Sequence, residues 1–180
     1  MSKEIRAVMI GLALVSSTQP VSAAVTEGSA TGFTVSHKGD VRATSRVIWA
    51  RLARPDLWWN KAHSWSGDAR NFSMTLKPGG CFCEKLPQAG FVEHARIIYA
   101  APGKMLRLSG GLGPLQGEAL SGTLTIMITP GQDGMTSVAF DYVVGGHARF
   151  SLIDIAPAVD RVIGEQHRRL LKLIAGGSPE

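Results

Sequence analysis

The chain has 180 residues, a formal net charge of +5, a hydrophobic share of 44% and two cysteines. That length is a prior for one domain, with a core large enough to stand without metal or disulfide staples. The basic residues are scattered, with Arg168–Arg169 the only adjacent pair. No basic stripe interleaved with aromatics exists, so nucleic acid is not an expected partner.

Lys3 and Arg6 precede the apolar run 7–15, and the small residues Val21 and Ala23 follow a polar stretch. This three-part pattern predicts a secretory signal over 1–23, cleaved near Ala23, and a periplasmic or secreted destination. The run is too short to span a bilayer, which takes about 20 apolar residues. Residues 24–32 read as a flexible leader, and 33–176 as a single domain with a short tail, 177–180.

Alternation in Phe33–His37 predicts a first strand, punctuated by Gly39-Asp40. Val47, Ile48 and Leu52 at helical spacing, after the N-cap candidates Thr44 and Ser45, predict a helix over 43–53 that Pro55 stops. A second short turn starts at Pro55. From residue 71 the chain becomes short alternating runs between Gly/Pro turns, the mark of an antiparallel sheet. These runs begin near Asn71, Gly80, Phe91, Met105, Ser121 and Thr136. In the run 121–129, Leu124, Ile126 and Ile128 share one face while Thr123, Thr125 and Thr129 share the other. A long helix over 156–175 closes the chain, with the stripe Val159, Val162, Ile163, Leu170, Leu173 and Ile174. Strands followed by a helix packed on the apolar face of their sheet give an α+β fold.

Four stretches, Trp49–Trp59, Pro78–Glu84, Ala101–Gln116 and the start of the last helix, resemble the helix-grip superfamily. The likeness is to the bacterial SRPBCC or START-like branch that includes polyketide cyclases and chaperone-ATPase activators. The resemblance implies a curved antiparallel sheet of six to seven strands gripping the C-terminal helix, with a mostly apolar cavity between them. A hydrophobic or amphipathic small molecule is then the expected partner, no cofactor is expected, and transient membrane contact during transfer is compatible with this reading.

Several residues stand out as candidates to touch such a ligand. Trp58 and Trp59 are adjacent and cannot both face inward from one helix, so one should lie near a surface or cavity mouth. Trp49 reads as core. Leu112, Leu115 and Gln116 sit on the glycine-rich loop 110–116, which suits a lid and lacks a phosphate-binding pattern. Tyr142 belongs to the aromatic group, and Gln166 interrupts the helix stripe beside Gly164. These last two positions fit either a hollow or merely close packing.

The two cysteines, Cys81 and Cys83, share one face of their strand, leaving Phe82 and Glu84 on the other, the candidate cavity face. In a regular strand residues i and i+2 are about 6.6 Å apart, near the upper limit for a disulfide. Two packed thiols are therefore expected over a strained bridge or a metal clip. The next strand admits two assignments. Turning Phe91, Ala95, Ile97 and Tyr99 inward buries the more apolar set and leaves His94 and Arg96 in water. The opposite phase puts His94 and Arg96 inside, opposite Glu84, where they could hold a polar head group or move a proton. No nucleophile motif or metal-ligand spacing is present. The first expectation is thus a binding protein. The alternatives are a cyclase, dehydratase or hydrolase using His94 and Glu84, and a stress-related interaction module.

Overall fold

A computed structural model describes residues 24–179. The proposed signal segment lies outside the described residues. Eight strands form one antiparallel sheet: β1 (Ala24–Ser29), β2 (Gly32–Arg42), β3 (Phe72–Met74), β4 (Cys81–Lys85), β5 (Phe91–Ala101), β6 (Met105–Ser109), β7 (Ala119–Pro130) and β8 (Met135–His147), in the order β1-β2-β8-β7-β6-β5-β4-β3. Two α-helices and four short 3-10 helices complete the described domain. Helix α1 (Ser45–Leu52) starts on the Thr44 hydroxyl, which accepts the Val47 N–H at 3.4 Å, and α2 (Leu152–Ile174) packs mainly across β1, β2 and β8. The alternation in β7 holds: Leu124, Ile126 and Ile128 are buried against the helix side.

Residues 24–29, expected to be flexible, form the edge strand β1, paired with β2 from Ala24↔Ser36 to Ser29↔Gly32. Backbone pairing there needs no hydrophobic pattern, which is why composition alone gave no sign of it. The turn expected at Gly39-Asp40 is also absent, and β2 runs through it to Arg42, opposite β8. Helix α2 begins a turn earlier than expected, because buried Leu152 and Ala156 extend the apolar stripe beyond Pro157.

The sheet departs from regular pairing where the two candidate assignments of β5 competed. Phe82 pairs with Ala95 and Cys83 with Glu93, so His94 is an extra residue on β5. Such a bulge breaks the two-residue period. His94 and Ala95 are consequently both buried, as is Ile97, while Arg96 is exposed. Neither regular phase was right. Gly110 accommodates the displaced backbone: a Cβ there would lie 2.3 Å from the His94 carbonyl oxygen.

Opposite this bulge, β4 is contracted. The Cα atoms of Cys81 and Cys83 are 5.3 Å apart and the two residues form a disulfide, correcting the expectation of free thiols. That expectation took the strand to be regular. The sulfurs and the Glu93 carboxylate form a cluster of metal-ligand atom types within 4.8 Å, but the sulfurs are bonded to each other.

Candidate functional site

Between α2 and the connecting segments 59–65 and 112–114, with His94 of the sheet in its wall, lies a cavity of about 330 Å³, within the usual range of roughly 300–1,000 Å³ for small-molecule sites. Helix α2 contributes Ile155, Ala158, Val159, Val162 and Ile163, spaced along one helix face. Trp59 and the segment Ala62–Trp65 form a second wall, Leu112–Pro114 a third, and His94 projects from the β5 bulge. The helix stripe was legible in the sequence as core. It borders space because the loops opposite it stand off from the helix.

Segment 59–66 is pinned from two sides. From the sheet, the Glu84 carboxylate accepts the Trp65 N–H at 3.1 Å and the Ser66 N–H at 2.6 Å. From α2, Glu165 accepts from the Asn60 side-chain amide and pairs with His63 Nε2 at 3.0 Å. Gln166 Oε1 takes the Asn60 N–H at 2.8 Å, and Trp59 Nε1–H donates to the His63 carbonyl at 3.0 Å. The polar partners of Glu165 thus come from the facing loop, and its helix neighbour Arg169 donates to the Trp58 carbonyl.

Glu84 is fully buried and lies 3.0 Å from His94 Nε2. Burial alone would raise its carboxyl pKa, but the hydrogen bonds from Ser66, Trp65 and His94 together hold it below the usual value. For His94, 4% exposed, burial pushes the imidazole pKa down, outweighing the opposing pull of Glu84. At neutral pH both directions favour an ionised carboxylate beside a neutral imidazole. The ring packs within 5.2 Å of Phe72 and 5.1 Å of Phe82.

The third wall is held by Tyr142. Its buried hydroxyl donates to the Gly110 carbonyl at 3.0 Å and accepts the Leu112 N–H at 2.9 Å. Burial pushes its pKa up to about 12, so it stays protonated. The loop expected to act as a lid is thus a fastened wall.

Of the sequence candidates, Trp59, His94 and Leu112 border the cavity. Glu84 stands behind His94, and Tyr142 and Gln166 fasten the walls. Trp58 is buried against Phe140, at a ring separation of 6.3 Å, and Phe82 and Leu115 belong to the core. Two candidates lie elsewhere. Arg96 is on the outer face, paired with Glu93 at 2.8 Å, because the bulge reverses its phase. Gln116 is exposed and donates to the Glu93 carbonyl. Nothing in the local sequence of His63 and Ser64 points to the hollow, because Glu84 and Glu165, distant in sequence, fold this loop over it.

The architecture, a curved antiparallel sheet wrapped on a long C-terminal helix, is helix-grip-like. No protein-family model matches the chain, and no curated protein matches it at a significant level. Solved structures do. A conserved protein of unknown function from Enterococcus faecalis, EF2215, superposes with a TM-score of 0.57 at 13% identity, over 84% of this chain and 75% of that one. CalU16 from Micromonospora echinospora gives 0.54 at 14% identity, over 83% and 78%. A Rhodobacter sphaeroides protein gives 0.52 at 22% identity, over 86% and 99%. At these identities the likeness is one of fold.

Proposed function

We propose that this chain is an exported binding protein that holds a hydrophobic or amphipathic small molecule between α2 and the sheet, in the manner of START-like domains. The observation that carries this reading is the cavity of about 330 Å³, whose walls are mostly apolar and whose one deeply buried polar side chain is His94. Native mass spectrometry of protein taken from its own source should find a retained small molecule. Val159→Trp, which fills the hollow, should lose it. Trp59 and Trp65 border the space, so their fluorescence should respond to apolar compounds. No retained molecule together with no response across a panel of such compounds overturns the reading. Export predicts that N-terminal sequencing of periplasmic protein starts near Ala24; intact chain confined to the cytosol overturns it.

A second reading has its own observation. The His94–Glu84 pair, at 3.0 Å, supplies two titratable groups within reach of each other at the cavity wall, as acid–base chemistry of a cyclase, dehydratase or hydrolase requires. His94 would move the proton and Glu84 would position it. Turnover of a polyketone-type substrate, lost in His94→Gln while binding persists, is the expected result. Unchanged turnover in that variant overturns it.

A further inference from the structure

The polar chemistry of the cavity selects among apolar ligands. Glu84 receives three hydrogen-bond donors: the Trp65 and Ser66 backbone amides and His94 Nε2. An ionised carboxylate only accepts, so the bond to His94 puts the imidazole proton on Nε2. In a neutral ring Nδ1 is then a bare lone pair. Among the described residues Nδ1 has no hydrogen-bond partner, and the ring borders the cavity. Of the other polar side chains of the wall, Trp65 stands exposed at the rim, where water competes for its indole N–H, and the rest are committed. Trp59 Nε1 donates to the His63 carbonyl, the Ser64 hydroxyl donates to the Lys61 carbonyl, and His63 Nε2 is paired with Glu165. His63 is also exposed, so water competes for it at the rim. Among the described side chains, the buried end of the wall therefore presents one acceptor and no free donor.

We infer that the ligand is an uncharged apolar molecule bearing one hydroxyl group, aliphatic or phenolic, docked by its O–H on Nδ1 of His94. The inference rests on the binding reading above and narrows it. A fatty acid or other carboxylate would bring a second negative charge towards Glu84 and meet a lone pair with its own lone pairs. An ammonium group would gain from the charge of Glu84, but it carries three donors and finds one acceptor in an otherwise apolar space. An ether or hydrocarbon of the same shape would leave Nδ1 unpaired once water is displaced. A single hydroxyl matches the single acceptor.

The test is a ligand series on the full-length chain: 2-naphthol, 2-methoxynaphthalene, 2-naphthoate and 2-naphthylmethylamine, titrated at pH 7.5 by tryptophan fluorescence and calorimetry. Naphthol should bind about tenfold tighter than the methyl ether, and naphthoate most weakly. His94→Leu should abolish the preference for naphthol over the ether while leaving ether binding in place. Nitrogen-15 NMR should find Nδ1 of His94 as the unprotonated ring nitrogen, shifting when naphthol is added. Equal affinity for naphthol and its ether overturns the inference and leaves the binding reading standing, as does tightest binding of the amine or the carboxylate. Binding of none of the four overturns the inference, and overturns the binding reading as well if the native protein also retains no small molecule. The wild-type series decides even if the variant fails to fold.

Discussion

Helix α2 meets the sheet in two ways along its length. Around Gly164 and His167 the contact is filled. A Cβ at position 164 would lie 2.5 Å from His37 Cε1, and His167 Nε2 reaches the Val138 carbonyl at 3.0 Å. Its ring also packs against Phe140, at 5.2 Å. Between Ile155 and Ile163 the same helix stands off from loops 59–66 and 110–117 and leaves the cavity. Both regions bury histidines with one nitrogen bonded. His37 Nε2 is bonded to the Asp160 carbonyl at 3.1 Å, with the Asp160 carboxylate 2.9 Å away. The Nδ1 atoms of His37 and His167 are enclosed by protein without a partner among the described residues, whereas the His94 ring borders open space. What separates a candidate site from a packed core is thus the room beside the unused nitrogen. The buried histidine alone does not decide it.

The largest expected contrast is in truncation. Phe140→Ala at the filled end should cost about 3–5 kcal/mol, while Val159→Ala at the cavity wall should cost about 1 kcal/mol, because part of its surface already faces space. Equal losses in denaturant midpoints would erase the distinction. Next, Glu84→Leu leaves the Trp65 and Ser66 amides and His94 unpaired and should cost about 3 kcal/mol. It should also expose segment 60–66 to protease while the sheet stays intact. Gly164→Ala drives a methyl into His37, an overpacking cost of about 1–3 kcal/mol, offset by about 1 kcal/mol of helix propensity. It should lower stability without changing ligand affinity.

Acid probes both regions. The pKa values of His94 and His167 lie below the ordinary 6.5, chiefly through burial. The unfolded chain therefore binds protons first, and stability falls as pH drops from about 6.5 towards their folded values. Glu84, held below its ordinary 4.5, contributes above that value and loses its share as pH falls through its folded value. Unfolding midpoints should be flat from pH 7 to 8 and decline below about 6.5, and His167→Leu should flatten the decline without affecting the cavity. A small effect is also expected of the disulfide. Its closed loop is so short that Cys81→Ser with Cys83→Ser should cost about 1.5 kcal/mol or less. Thiol titration of denatured protein should find no free thiol before reduction.

The α+β class, the sheet as a run of short strands and the gripping helix were legible because each rests on local signals, namely periodicity, turn residues and caps. The Thr44 cap, the Leu124–Ile128 alternation and the α2 stripe are where expected. The edge strand β1 was not legible, since its stabilisation is backbone pairing with a distant segment. Neither was the state of Cys81 and Cys83, which depends on a contraction no single-strand rule contains. For the site, sequence brought forward Trp59, His94 and Leu112 but also Arg96, whose position follows from strict alternation and fails where alternation breaks. His63 and Trp65 reach the cavity only because two carboxylates distant in sequence fasten their loop.

The extra residue in β5 has a consequence for how this scaffold could change. Because His94 stands outside the pairing register with β4, with Phe82 opposite Ala95 and Cys83 opposite Glu93, deleting it would restore an unbroken ladder between β4 and β5 and leave its neighbours in their present pairs. The polar centre of the hollow is in this sense a one-codon insertion into a frame that closes without it. A lineage could acquire or discard that centre in one step, keeping the container while changing what it is able to hold.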